Sequence, residues 1–94
     1  MKLKLAPRAI ADLERIYLES ARSFGISQAD AYQAGLRNSL DLIGEHPLMA
    51  RERTGFRRPV RIHSYESHVI VYLVRDIVLV IRILHAHQNL RRIL

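Results

Sequence analysis

The chain has 94 residues, of which 49% are hydrophobic and 26% are charged, and its formal net charge is +6. This length accommodates a single domain, residues 1–94, and the composition is typical of a folded globular protein. The absence of cysteine excludes disulfides, thiolate metal clusters and a thiol nucleophile. No apolar run approaches the roughly 20 residues of a membrane span and no signal peptide is evident, so we expect a soluble cytoplasmic protein without a membrane partner.

The first half of the chain predicts a short strand followed by a helical hairpin. Charged and apolar residues alternate over residues 2–6, as in an edge strand, and the first helix is expected to begin at Pro7 and end at Gly25. A capping-box pattern at Ser27 predicts the start of a second helix, which ends before Pro47. The apolar stripe expected for the first helix is Ile10, Leu13, Tyr17, Ala21 and Phe24. The stripe expected for the second helix is Tyr32, Leu36, Leu40 and Ile43.

The second half of the chain predicts three strands. Residues 48–55 are expected to form a loop, and alternation of apolar and polar residues begins at residue 60. Residues 68–75 and 77–84 are β-branched runs separated by a tight corner, which predicts consecutive antiparallel strands. The element order is therefore β-α-α-β-β-β. We expect an α+β fold of two layers, with an antiparallel sheet packed against the helical hairpin.

One predicted strand is apolar on both faces. The run from Ile77 to Ile81 does not alternate, although a sheet with helices on one side should have a polar second face. Either the C-terminal residues fold back over that face, or a protein partner or a second copy covers it. The C-terminal residues in question are Leu90, Ile93 and Leu94. We assign Val78 and Val80 to the uncovered face.

The positive charge is confined to the second half of the chain. Residues 1–47 contain six basic and six acidic residues, whereas residues 48–94 contain nine arginines and three acidic residues. Five of these arginines are close together: Arg51, Arg53, Arg57, Arg58 and Arg61. Nucleic acid, an acidic protein segment or solvent could face them. Because Phe56 is the only aromatic residue among them, we do not expect direct nucleic-acid binding.

Histidines lie at the end of the last predicted strand. His85 and His87 are expected to share a strand face, where His63 or His68 could join them. No carboxylate or cysteine accompanies them in the sequence, so we predict neither a metal site nor a cofactor. With Arg82 they form a cationic or proton-exchanging rim, or they are simply solvated.

Several segments together resemble the ParE branch of the RelE/ParE toxin superfamily. They are residues 5–13, the His46–Pro47 pair, residues 67–72 and residues 80–85. The resemblance implies a type II toxin–antitoxin function linked to plasmid stabilisation. It also implies non-catalytic inhibition of DNA gyrase, and a hetero-oligomer with a ParD-like antitoxin that has an acidic C-terminal segment. The sibling RelE branch consists of ribosome-dependent mRNA endonucleases.

These readings assign residues to two surfaces. The candidates for target binding are Arg82, His85, His87, Arg91 and Arg92. The candidates for antitoxin binding are Val78, Val80, Arg57, Arg58 and Arg61. In the alternative of a ribonuclease, Arg82 would neutralise the phosphate and His85 or His87 would be the general base. A third alternative is an inactive homologue held by an antitoxin.

Overall fold

Two long helices and a five-stranded sheet form the two main layers of the chain. A computed structural model describes all residues from 1 to 94. The strands are β1 (Leu3–Leu5), β2 (Glu52–Arg53), β3 (Val60–Tyr65), β4 (His68–Val74) and β5 (Val78–His85). The helices are α1 (Pro7–Phe24), α2 (Ile26–Glu45) and α3 (Leu90–Ile93). The predicted α+β class and element order are confirmed, with β2 and α3 as additions. None of the helices is long and apolar enough to cross a membrane.

The sheet is antiparallel except at one edge. Its strand order is β1-β5-β4-β3-β2, and the pairs among β2, β3, β4 and β5 are all antiparallel. β1 is parallel to β5, with Leu3 opposite Val78 and Leu5 opposite Val80. A parallel pair needs a long crossover connection, and residues 6–77, which include the helical hairpin and three strands, provide it. Residues 52 and 53, which we expected in a loop, pair with β3 as the opposite edge strand.

A single glycine joins the two long helices. Gly25 has φ of +91°, a backbone conformation that side chains disfavour, and it precedes α2 directly. The predicted capping box at Ser27 is wrong, because Gly25 occupies the N-cap position and Ser27 already lies within the helix. The link of one residue forces α1 and α2 into the predicted antiparallel hairpin.

The core between helices and sheet uses a different stripe of α1 from the one predicted. Ala9, Leu13 and Ile16 are buried, whereas Ile10 and Phe24 are 45% and 70% exposed. Both stripes contain Leu13 and both follow helical spacing, so periodicity alone does not distinguish them. The stripe with the small Ala9 lets α1 approach the sheet. The predicted stripe of α2 is confirmed at its three aliphatic positions, Leu36, Leu40 and Ile43.

Val78 and Val80 do not lie on the uncovered face of the sheet. Both are fully buried in the cluster beneath α1 and α2, so their assignment to an open surface is wrong. The sheet is apolar on both sides, because a second buried cluster lies opposite the long helices. Its buried members are Val60, Ile62, Val69, Val71, Leu73 and Leu84. The C-terminal residues Leu90, Ile93 and Leu94 and the loop residue Phe56 pack against it, so the fold-back alternative is the one observed.

Candidate functional site

A buried carboxylate binds the end of β5 to helix α1. Asp12 is 1% exposed and accepts hydrogen bonds from Arg82 Nε at 2.9 Å and Arg82 Nη2 at 3.1 Å. Its Oδ2 also accepts the backbone N–H of Ile83 at 2.9 Å. Arg8 and Asp12 are four residues apart in the sequence, which favours an exposed ion pair between them on the surface of the helix. In the fold, Asp12 instead points to the sheet.

A β-bulge in β5 lies next to the residues that contact Asp12. The register between β4 and β5 shifts at Ile81, which has no partner in β4. Val80 before the bulge and Ile83 after it both lie in the core beneath the helices, although a regular strand would place them on opposite faces. The bulge thereby places Ile83 and His85 on the helical side of the sheet, beside Arg82, whose guanidinium reaches Asp12 of α1.

The Asp12–Arg82 pair stays ionised. Burial raises the pKa of Asp12, but the hydrogen bonds from Arg82, Ile83 and Arg15 outweigh it and hold the pKa below its ordinary value. The hydrogen bond to Asp12 raises the pKa of Arg82. Arg82, predicted as a target-binding or catalytic cation, therefore has its charge compensated by a neighbouring carboxylate, and its side chain is only 19% exposed.

Five aromatic rings form a continuous row from the end of β3, past α2, to the turn after β5. The ring centroids of Tyr65 and Tyr32 are 5.2 Å apart, and those of Tyr32 and His68 are 5.5 Å apart. The row continues from His68 to His85 at 5.3 Å and from His85 to His87 at 5.0 Å. The first three contacts are edge-to-face, an arrangement that stabilises aromatic pairs. We call these five residues the ring row.

The Tyr32 hydroxyl is the hydrogen-bonding centre of the ring row. It accepts the backbone N–H of Ser67 at 3.2 Å and lies 2.7 Å from His68 Nδ1. Burial, together with nearby His85, lowers the pKa of His68, so its imidazole is neutral near pH 7 and shares a hydrogen bond with the hydroxyl through Nδ1. Burial raises the pKa of Tyr32, which keeps the hydroxyl protonated. The pair thus locks the turn between β3 and β4 onto α2.

The two exposed histidines lie at the end of β5 and in the turn after it. β5 ends at His85, and His87 lies in the next turn, so the prediction that both share a strand face is wrong. Their rings are nevertheless adjacent, because the His87 N–H donates to His85 Nδ1 at 3.2 Å. The N–H of His85 donates to Gln88 Oε1 at 2.9 Å. No group of three or more His, Asp or Glu side chains is arranged to hold a metal ion.

The predicted C-terminal arginines have different surroundings. Arg91 Nη1 donates to the carbonyl of Gly55 at 2.8 Å, and its guanidinium carbon lies 5.3 Å from the ring centroid of Phe56. Gly55 has φ of +91°, and a Cβ there would lie 2.4 Å from Arg91 Nη1. Arg92 is exposed, and its backbone N–H is capped by the side chain of Asn89. Arg91 therefore anchors α3, whereas the side chain of Arg92 faces solvent.

The fold separates the predicted antitoxin-binding arginines. Arg57 and Arg58 are exposed and line one groove together with Arg82. Arg61 is half-buried and donates through Nη1 to the carbonyl of Ala50 at 2.6 Å, so it holds the segment after α2 in place. The two predicted surfaces thus meet at one groove, without Arg61.

Two important residues were missed by the sequence analysis as site residues. Asp12 shares a helical face with Ala9 and Ile16, and an acidic residue on an apolar face was an available signal of a buried ion pair. Tyr32 was predicted only as a core residue. Its bond to His68 joins positions 36 residues apart, and no local pattern predicts such a contact.

Comparisons with known proteins agree on one family. A family model described as ParE toxin of type II toxin–antitoxin system, parDE, matches residues 3–90. The chain is similar to Toxin ParE1 of Caulobacter vibrioides, with 36% identity over 88 residues that cover 94% of this chain and 92% of that protein. It is 30% identical to Toxin ParE1 of Mycobacterium tuberculosis over 90 residues, again 94% and 92% of the two chains. A solved structure described as the chromosomal ParDE TA system from P. aeruginosa has the same fold, with a TM-score of 0.78, 20% identity, and coverage of 90% of this chain and 95% of that chain.

Proposed function

The chain belongs to the ParE toxins of type II toxin–antitoxin systems, and we propose from this that it inhibits DNA gyrase by protein–protein contact and is neutralised by a cognate antitoxin. Gyrase acts on DNA inside the cell, so this function places the chain in the cytoplasm. The antitoxin would hold it in a hetero-oligomer. The proposed action needs no cofactor and no bond-making by the toxin itself.

The observation that carries the proposal is the exposed cationic end of the chain. His85, His87, Arg91 and Arg92 are exposed, and no acidic residue follows Asp76. A surface of one sign attracts a partner of opposite sign and accelerates encounter, most strongly at low ionic strength. This cationic end, defined as residues 85–92, is the proposed contact with gyrase.

The ribonuclease alternative has less support from the geometry. Cleavage of mRNA needs a free cation beside the phosphate and a general base for the 2′-hydroxyl. Arg82 and Arg15 line one pocket with His68 and His85, but Asp12 compensates both, through two hydrogen bonds from Arg82 and one from Arg15. His85 Nδ1 already accepts the N–H of His87. These contacts favour a surface for protein recognition.

A parallel assay of two targets tests the proposal. The purified chain is added to a gyrase supercoiling reaction and, separately, to a translating ribosome extract whose mRNA is mapped by primer extension. We expect loss of supercoiling, or stabilised DNA cleavage by gyrase, without mRNA cuts. Codon-phased mRNA cuts with unaffected gyrase would establish the ribonuclease alternative, and no effect in either assay would indicate an inactive homologue.

A further inference from the structure

A closed hydrogen-bonded turn of residues 85–88 follows the last strand. The backbone N–H of His85 donates to Gln88 Oε1 at 2.9 Å, and the backbone N–H of Gln88 donates back to the carbonyl of His85 at 3.0 Å. The N–H of Ala86 donates to the carbonyl of Ser67 at 2.9 Å, which ties this segment to the turn between β3 and β4. Contacts within the chain therefore order the segment, although all four of its residues are exposed. We call it the His85 turn.

The imidazole of His85 is held between two other rings. The ring of His68 packs against it edge-to-face at a centroid distance of 5.3 Å. The ring of His87 lies at 5.0 Å with its plane tilted by 32°, and the backbone N–H of His87 donates to His85 Nδ1 at 3.2 Å. A side chain that is already fixed in this way loses little rotational freedom when a partner binds to it.

The hydrogen bond to Nδ1 determines which nitrogen of His85 carries a hydrogen. A neutral imidazole has one N–H donor and one bare acceptor nitrogen. A backbone N–H can donate only to the bare nitrogen, so Nδ1 is the acceptor and the hydrogen is on Nε2. Nε2 has no hydrogen-bond or ion-pair partner within the chain, and the side chain is exposed. The chain thus presents one unpaired ring N–H to solvent.

The chemistry of this N–H fits a carboxylate on a partner. An Nε2 that carries a hydrogen can donate to an oxygen, but it cannot take a proton from a 2′-hydroxyl as a general base would. Glu19 lines a pocket with His85, but it pairs with Arg15 and not with the imidazole. Because no acidic residue follows Asp76, the cationic end attracts an acidic partner surface. A hydrogen bond to a carboxylate is roughly twice as strong as one between neutral groups.

We propose that His85 donates its Nε2–H to a carboxylate of gyrase, and that Gln88 is the positioning residue that holds His85 for this contact. The inference rests on the proposed function, in which the cationic end contacts gyrase. Gln88 acts through the backbone of His85. It was assigned to neither surface from the sequence, where His85 itself was considered as a cation or a general base.

Nitrogen NMR of the free chain tests the position of the hydrogen without gyrase. In a chain labelled with ¹⁵N-histidine, correlation of ring protons with ring nitrogens at about pH 8, where imidazoles are neutral, identifies the nitrogen that carries the hydrogen. We expect Nε2 for His85 in the wild type and mixed tautomers in Gln88→Ala. Gln88→Glu retains an oxygen acceptor for the His85 N–H and should restore the wild-type pattern. A hydrogen on Nδ1 or mixed tautomers in the wild type, or an unchanged pattern in Gln88→Ala, would overturn the inference.

Binding to gyrase in the absence of DNA tests the donor, because no nucleic-acid phosphate is then present. His85→Asn keeps an oxygen near the position of Nδ1 but lacks a donor at the position of Nε2, which the amide of His85→Gln reaches. We expect His85→Asn to raise the Kd measured by surface plasmon resonance by about tenfold or more, which corresponds to about 1.4 kcal/mol. His85→Gln should bind several-fold more tightly than His85→Asn. The control Asn38→Ala removes an exposed amide from α2 and should stay within about twofold of the wild type.

The outcomes separate this contact from the proposed function. Equal Kd values for the wild type and His85→Asn, equal weakening by the asparagine and glutamine variants, or binding that requires DNA would overturn the inference. If the wild type still inhibits supercoiling, any of these results removes only the His85 contact. Absence of inhibition by the wild type would instead overturn the proposed function.

Discussion

The carboxylate of Asp12 and the guanidinium of Arg82 join helix α1 to the last strand across 70 positions of the chain. Two hydrogen bonds of 2.9 Å and 3.1 Å form the pair, and the same carboxylate accepts the N–H of Ile83 beside the bulge. Bidentate, charge-assisted contacts of this kind fix geometry as well as charge. The pair therefore determines where β5 presents its exposed end.

Replacing Asp12 should be costly. Asp12→Asn removes the charge that compensates Arg82, and breaking a buried ion pair from one side typically costs about 3 kcal/mol or more. We expect a loss of that size in the free energy of unfolding, measured by urea denaturation. Glu14→Gln, an exposed neighbour on the same helix, is the control and should change stability by less than about 0.5 kcal/mol. A small effect for Asp12→Asn would show that the pair is not the link between α1 and β5.

The neutral state of His68 predicts a pH dependence of stability. The folded state holds the pKa of His68 below its ordinary value of 6.5, through burial and the nearby His85. The unfolded chain therefore takes up this proton more readily, so protons favour unfolding. Stability from this group is present above about pH 6.5 and declines as the pH falls below that value. Urea denaturation between pH 5 and pH 8 measures the slope.

Two asparagine variants distinguish the contribution of His68 to the pH dependence of stability from that of another histidine. His68→Asn removes the titrating group while keeping an oxygen that can accept the Tyr32 hydroxyl. It should flatten the decline in stability between pH 6.5 and pH 5. His46→Asn, at an exposed position after α2, should keep the wild-type slope. An unchanged slope in the His68 variant would contradict the assignment.

The ring row depends on the absence of a side chain at Gly35. A Cβ there would lie 1.7 Å from the Tyr65 hydroxyl oxygen, so the Tyr65 ring would have to move away from Tyr32. Gly35→Ala should therefore destabilise the fold by about 1–3 kcal/mol, as overpacking does, despite the better helix propensity of alanine. At Gly44, also in α2, a Cβ meets nothing closer than 3.5 Å, so Gly44→Ala should be neutral or stabilising. Equal thermal midpoints for the two variants would refute the close contact.

Arg91 is expected to hold the short helix α3 on the sheet. Arg91→Ala removes the bond to the Gly55 carbonyl and the contact with Phe56, which together anchor a helix of four residues. Hydrogen exchange of the backbone amides of residues 90–94 should accelerate several-fold in this variant, as local opening becomes easier. The side chain of Arg92 faces solvent, so Arg92→Ala should leave the exchange rates unchanged. Equal rates in both variants would indicate that apolar packing alone holds α3.

The helices and strands were predictable because each has a clear local pattern. Pro7 and Gly25 delimit α1, and the β-branched runs from residue 68 onward form β4 and β5 as expected. Which side chains of β5 pack against the helices was not predictable, because the run from Ile77 to Ile81 is apolar on both sides. The bulge at Ile81 then changes the alternation without any signal in the residues themselves.

The contacts around the predicted site residues could not be inferred from the sequence. Arg91 and Arg92 after β5 are exposed, whereas Arg82 and His68 are held by Asp12 of α1 and Tyr32 of α2. The sequence did not predict that Arg8 lies near Arg57 and Arg58, because only the folded chain brings the start of α1 beside the loop before β3. Contacts between distant positions decide which arginines are free and which are compensated.

The concentration of the chain that half-inhibits gyrase supercoiling tests the central proposal most directly. His87→Ala/Arg92→Ala removes two exposed groups from the cationic end, and His46→Ala/Arg37→Ala removes the same residue types from the helical layer. We predict that the wild type and the helical-layer variant inhibit equally, and that the first variant needs a concentration about tenfold higher or more, as loss of contacts worth about 1.4 kcal/mol would produce. Equal inhibition by all three proteins would contradict the proposed contact, and absence of inhibition by the wild type would contradict the proposed function.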